Sequence, residues 1–452
     1  MRHRVIKLGP VVGLLLASAS QVCASDARLL TLNESIRIAL ENSPAYQSAA
    51  HQLRGAQARQ KEARTGFFPR FGLESSYTRL NRPPYIDVPA DFIGTPLEIT
   101  IGSEHIYDAK LTAQQPIFTG FRIARAYQMA ALGGKAAAAQ LEASRQALVL
   151  DVNASYYGVL MAQEMLKVAD SAVTQIEAHL SDVRNMYNAG LVARNDVLKA
   201  EVQQSNVALM QIQARNAVRM ARIAFLNVLG LPLDEEVQLE DNLVYVPTDM
   251  DLDTAVQTAL DTRPELRSTE CAVDISRNAV RVAQAGWYPT LAGYYTYEYK
   301  SDQVDNPFKA PEPDARWQDN WEETWVAGLV LSFNLWDWGQ THYQAAQAKA
   351  EYAQALNGLT QLTNAVRLEV TQSYFALKEA EEKIAAGRKA VEQAEENLRV
   401  AEEKFDAEIV TNTDLLDAQT ALTQARVGYV QALTDHLIAH ARLKRSMGTL
   451  SR

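Results

Sequence analysis

Apolar residues in the chain follow two different periods. From Lys378 to Lys404, Ile384, Val391, Leu398 and Phe405 step by seven with charges between them, the spacing of a coiled-coil seam. No proline lies between Pro116 and Pro232 or after Pro313, and both regions are rich in Ala, Gln, Glu, Lys, Leu and Arg, which favour helix. The pattern predicts helices at about 120–186, 195–230, 339–404 and 413–447. The longest would span some 66 residues, roughly 100 Å at 1.5 Å per residue. Asn188-Ala189-Gly190-Leu191 interrupts the first pair and Asp406-Ala407-Glu408-Ile409 the second, which makes two helical hairpins. Asp196 and Asp414 follow these turns, where a carboxylate meets the positive end of the returning helix.

Four short segments alternate with period two. Phe71, Leu73 and Tyr77 oppose Arg70, Glu74 and Thr78; Tyr107, Ala109 and Leu111 oppose Asp108, Lys110 and Thr112. Leu291, Tyr295, Tyr297 and Tyr299 oppose Thr296 and Glu298, while Trp325, Leu329, Leu331 and Phe333 oppose Thr324 and Ser332. Segments of about ten residues, apolar on one face with aromatics near the ends, fit transmembrane β-strands. For any one of them an ordinary half-buried sheet fits as well. Polar, proline-containing loops at 81–105 and 300–321 join each pair.

Helices and strands together form a repeat. Ala39-Leu40, Pro44, Gly66 and Phe68-Pro69 return 220 positions later as Ala259-Leu260, Pro264, Gly286 and Tyr288-Pro289. Past Phe118 the offset is 218: Ser155-Tyr156-Tyr157 returns as Ser373-Tyr374-Phe375, and Gly230 as Gly448. The expected division is therefore 1–24, 25–230, a connector at 231–250, and 251–452, with strand pairs at about 67–118 and 287–336.

The ends and the composition narrow the class. Arg2, Arg4 and Lys7, then apolar Val11 to Ala17, then Val22-Cys23-Ala24, read as an export signal cleaved before Ser25. Ser20-Gln21-Val22 is not the run that precedes an acylated cysteine, so Cys23 is not read as lipidated. That leaves Cys271, which cannot form an internal disulfide and is expected to be a small buried hydrophobe. A net charge of −10 argues against nucleic-acid binding. No later run is apolar enough for a transmembrane helix. His436 and His440 have i, i+4 spacing, but Asp435 points off their face, so no metal is expected. With no phosphate loop or nucleophile elbow, neither cofactor nor catalysis is expected.

Four strands cannot close a barrel, and an open edge in hydrocarbon leaves backbone groups unpaired. The sheet must be shared between copies. Eight strands enclose only side chains, so three copies, giving twelve strands, are the expectation.

The duplication, Gly66-Phe67-Phe68-Pro69 and Gly286-Trp287-Tyr288-Pro289 before the strands, and Pro116-Ile117-Phe118-Thr119-Gly120 and Asn334-Leu335-Trp336-Asp337-Trp338-Gly339 after them carry a resemblance. So does Asp414-Leu415-Leu416-Asp417-Ala418-Gln419. In this order the motifs resemble the TolC-like outer-membrane efflux proteins. The resemblance implies a mixed α+β membrane protein: a homotrimeric twelve-stranded β-barrel in outer-membrane lipid, continued by a periplasmic α-helical barrel. It implies a passive exit duct, reached from an inner-membrane pump or ABC exporter through a periplasmic adaptor.

The same resemblance places Asp414 and Asp417 as carboxylate rings at the periplasmic entrance. The alternative is that Asp414 only caps its helix and Asp417 is a solvated charge. Phe405 and Val410 stand where some relatives place a Tyr and an Arg, so a gate latched by those groups is not expected. Gly190, Leu191, Val192 and Ala193, with Ile409, Val410 and Thr411, resemble the tips that meet the adaptor; plain turn chemistry explains Gly190 equally well. Trp317, Trp321 and Trp325 suit an interfacial belt. The competing class is a soluble periplasmic coiled-coil scaffold or adhesin.

Overall fold

The computed structural model describes residues 28–450, apart from 83, 90–93, 96, 101–103, 242, 246, 249, 303–320 and 408. The export signal, Trp317 and Glu408 lie outside the described residues. In the first half, β1 (Arg28–Leu30), α1 (Leu32–Asn42) and α2 (Pro44–Thr65) lead into β2 (Arg70–Arg79). After β3 (Tyr85–Val88) and β4 (Leu97–Thr100) come β5 (His105–Thr119) and the hairpin of α3 (Arg122–Asn188) and α4 (Arg194–Leu229). β6 (Val237–Leu239) opens the connector. The second half repeats the series as α5 (Leu252–Thr262), α6 (Pro264–Gln284), β7 (Thr290–Asp302), β8 (Trp321–Ser332), α7 (Gln340–Asp406) and α8 (Asn412–Ser446).

The long helices start and stop within about two residues of the apolar pattern; glycine-containing breaks set most of these ends, while the α7–α8 turn has none. Ile384, Leu398 and Phe405 of the seven-residue seam are buried. Each short helix pair is divided by a proline at the first helical position, Pro44 or Pro264. The residue before a proline is driven out of the helical region, and Ser43 and Arg263 are accordingly extended.

β2, β5, β7 and β8 form one antiparallel sheet in that order. Arg70 stands opposite Gln114, and Thr290 opposite Ser332, the same pair once each half's offset is applied. One row across the sheet runs Leu73, Leu111, Tyr297, Trp325; its neighbour on the other face runs Glu74, Lys110, Glu298, Thr324. β5 extends well beyond the expected 107–113. Pro116 sits at a register shift between Pro116 and Phe118, where a bulge spares the missing N–H. The segment expected to be a plain loop at 81–105 contains the β3–β4 hairpin.

Midway along the helices, two packed layers repeat one another. Ala39, Val152, Val159, Phe225 and Leu229 are buried in one; their counterparts Ala259, Val370, Leu377, Leu443 and Met447 are buried in the other. The connector joins the first layer through a parallel ladder of β6 on β1, which the sequence pattern did not reveal. Tyr156 bridges this ladder, its hydroxyl donating to the Glu240 carbonyl at 2.8 Å, and burial pushes its phenol up to about 12. The second layer carries an ion network instead: Arg263 and Arg445 share Glu265 and Glu369. Cys271 departs from expectation. It is half-buried beside Lys135, Arg267 and Glu270, not part of either core, and burial raises its thiol.

α4 ends against the start of α2. The Asn42 amide donates to the Leu229 carbonyl at 3.3 Å, and Gly230 turns the chain away at φ +68°. The second half does the same, Thr262 donating to the Met447 carbonyl at 2.5 Å beside Gly448 at φ +73°. A Cβ on Gly448 would lie 3.0 Å from the Arg263 Cα. Gly448→Ala should destabilise the protein by about 1–3 kcal/mol, from left-handed strain plus this overlap. Gly190→Ala, with the same strain but open space around it, should cost only about 1 kcal/mol. Thermal unfolding of the two variants checks the difference.

Candidate functional site at the helical tips

The two hairpins turn by the same backbone device. At the first tip, Gly190 takes φ +79°, and the Leu191 N–H donates to the Met186 carbonyl at 2.9 Å. At the second, the Ile409 N–H donates to the Lys404 carbonyl at 2.8 Å. These bonds satisfy carbonyls left over at a helix end. They also turn one aliphatic side chain outward at each tip, Leu191 at 61% exposure and Ile409 at 70%. The next residues, Val192 and Val410, tuck back against the apolar cluster below. Ala193 and Thr411 precede the returning helices and are exposed.

Capping then separates the tips. Thr411 Oγ1 accepts from the Asp414 N–H at 3.3 Å, and Asp414 Oδ2 accepts from the Thr411 N–H at 2.9 Å and its hydroxyl at 2.6 Å. This is a capping box. The hydrogen bonds from the Thr411 hydroxyl and then its N–H hold the Asp414 carboxyl below the usual carboxylate range. Ala193 supplies no side-chain cap for α4. Asp414 and Asp417 are both exposed near the start of α8, one turn apart.

Phe405 is only 7% exposed and packs inside the chain, with Val183, Leu398, Leu415, Ala418 and Leu422. Its ring meets that of His179 edge-on at 5.3 Å. His179 in turn shares a 2.6 Å hydrogen bond, from its Nε2, with Asn412 Oδ1. The Asn412 amide donates to the Asp196 carbonyl at 3.0 Å. One buried side chain thus ties α8 to both helices of the other hairpin. Lys199 adds a bond to the Thr413 hydroxyl at 2.9 Å, and Gln203 one to Thr420 at 3.2 Å.

Sequence reasoning passed over His179 and Asn412. Their signal was a break in the repeat: the offset of 218 puts Asn397 and Arg194 in their places. His436 and His440 stack at 6.4 Å. Among the described residues no group of three or more His, Cys, Asp or Glu could hold a metal, and no helix is long and apolar enough to cross a membrane.

The tips present aliphatic knobs, carboxylates and interlocked helices, a geometry suited to contact. The profile of the family described as outer membrane efflux protein matches residues 35–231 and 255–449. The outer membrane protein TolC of Escherichia coli (strain K12) is 24% identical over 454 residues, covering 98% of this chain and 87% of that protein. The alkaline protease secretion protein AprF of Pseudomonas aeruginosa is 25% identical, covering 94% and 86%. The crystal structure of the outer membrane protein VceC from Vibrio cholerae superposes with a TM-score of 0.77 at 18% identity, covering 92% of this chain and 96% of that one. The chain belongs to the outer membrane efflux protein family, an outer-membrane channel reaching into the periplasm and not an enzyme.

Proposed function

We propose that three copies of this chain form a passive exit duct, a twelve-stranded barrel in the outer membrane continued by a helical barrel through the periplasm. Residues 1–24 are removed on export; 25–230 and 251–452 are the two structural repeats, and 231–250 joins them at the equator. The observation that carries the reading is the sheet: among the described residues β2 and β8 have no further strand beside them, and one face is apolar through Phe71, Leu73, Trp325 and Leu329, all more than half exposed. In hydrocarbon each unpaired backbone group costs several kcal/mol, which pairing between copies removes.

The duct meets a periplasmic adaptor at its tips, through Leu191 and Ile409 with Gly190, Val192, Ala193, Val410 and Thr411 around them. The adaptor couples it to an inner-membrane pump or ABC exporter. Three-fold symmetry makes Asp414 and Asp417 rings of three charges at the entrance, where like charges attract cations. A tyrosine–arginine latch is absent, since Phe405 and Val410 are apolar and turned into the chain. His179, Asn412 and the Asp196 carbonyl fasten the hairpins in its place.

Light scattering of the detergent-extracted particle, with the detergent subtracted, should give about three chain masses; a monomer needing no detergent would sink the duct. Replacing Asp414 and Asp417 together by Asn should weaken block by multivalent cations at least about tenfold in single-channel recordings, because the focusing charge is gone. Asn412→Ala leaves buried partners unpaired and should cost about 1–3 kcal/mol. It should also raise the open-state conductance or its frequency; unchanged recordings would show that Asn412 contributes to stability alone.

A further inference from the structure

One face of α8 carries a nitrogen base on each of three successive turns, His436, His440 and Lys444, a row set by their i, i+4 spacing. At the offset of 218 their repeat partners on α4 are Val218, Arg222 and Leu226. The duplicated fold therefore does not itself call for the row. The His436 and His440 rings lie nearly parallel, with 17° between their planes. His436 is 1% exposed, and its ring packs on Tyr245 of the connector at 4.9 Å.

The row borders a cavity of about 430 Å³ between α1, α3, α8 and the connector. Small-molecule sites run from roughly 300 to 1,000 Å³. Part of the wall is apolar, through Leu32, Ile36, Val149 and Leu437; part is polar, through Asn153, His440 and Lys444 beside His436. Asn153 is 7% exposed and uses one amide hydrogen on the Val149 carbonyl at 2.7 Å; its second has no partner among the described residues.

Negative charge is missing from this wall. Among the described residues no carboxylate lines the cavity, and the Lys444 ammonium makes no ion pair. Glu381 of α7 is the one carboxylate that acts on His440. It is already engaged, accepting from Lys378 Nζ at 2.9 Å and from the Thr248 N–H at 3.4 Å. The titratable groups facing the row from α3 and the connector are the phenols of Tyr157 and Tyr245. Burial first, then Lys444 and His436, push the His440 pKa down.

We propose that this cavity binds a small carboxylate with an apolar body, its head held by Lys444, His440 and the Asn153 amide and its body against Leu32, Ile36 and Val149. The site lies within one chain and goes beyond the duct reading. An anion beside His440 favours the charged imidazole, so binding takes up a proton. The gain in affinity is full below the lowered pKa of the empty site, and it is lost as pH rises through the pKa of the filled one. One linked proton changes affinity by up to about tenfold per pH unit.

The test is calorimetric titration of the detergent-extracted full chain with hexanoate, with the detergent blank subtracted. Hexanoate, ionised throughout this range, should bind at least about tenfold more tightly at pH 6 than at pH 8. Heats in two buffers of different ionisation enthalpy should show proton uptake. Lys444→Gln, at an exposed position that keeps the fold, should weaken binding about tenfold or more through loss of a charged hydrogen bond. His440→Gln should flatten the pH profile while thermal unfolding stays that of the parent. Inorganic phosphate, which lacks the apolar body, should bind more weakly than hexanoate. Equal affinity in the parent and Lys444→Gln, a pH-independent affinity, or phosphate binding as tightly as hexanoate each overturns the proposal. Because particle mass is read separately, failure here leaves the duct standing, and a one-chain particle leaves this site standing.

Discussion

Backbone hydrogen bonding in hydrocarbon governs this molecule. A sheet with one apolar face and two bare edges is stable in lipid only if each edge finds another strand. The internal duplication supplies both edges on one chain, β2 at one end and β8 at the other. From that follow the placement of each strand pair ahead of its helical hairpin and the closeness of each half to the other. The long helices inherit the same demand, since rows such as Leu198, Val202 and Leu209 stay exposed on a single chain.

Stability is distributed differently in the two halves. The first equatorial layer is closed by a small parallel ladder and the buried hydroxyl of Tyr156. The second uses the Arg263–Glu265–Glu369–Arg445 network. The apolar cores of the two layers are equivalent by the repeat, but these polar additions are not: the network's counterparts in the first half are Ser43, Ala45, Asp151 and Asn227. The tips diverge in a similar manner, a capping box on one and an uncapped alanine on the other.

Much of this was legible in the sequence because the signals were long. A seven-residue seam through Ile384, Leu398 and Phe405 is a local rule that tertiary packing did not override, whereas the division of each short helix pair at Pro44 and Pro264 was not drawn from the sequence. The failures were short or long-range. Three-residue strands such as β1 and β6 carry too few positions to show a period, and they pair across most of the first half. Pro116 is tolerated within β5 because a bulge removes the penalty that proline imposes on a ladder. At the tips, Leu191, Ile409 and the Asp414 cap could be read from turn and cap chemistry. Asn412 could not, since its worth lies in reaching His179 and the Asp196 carbonyl across the fold.

The junctions at Gly230 and Gly448 have a mechanical consequence. α3 and α7 run unbroken past the equator, but their neighbours are segmented there, α4 butting against α2 and α8 against α6. The carbonyl end of one segment faces the amide end of the next, so the dipoles continue head to tail without a continuous ladder. A continuous rod stores elastic energy along its whole length when it is bent. A jointed one turns at a point, and the part beyond the joint moves as a lever. In each half a bending spar lies beside a pivoting strut, so a small rotation at mid-height becomes a larger sideways travel at the far end.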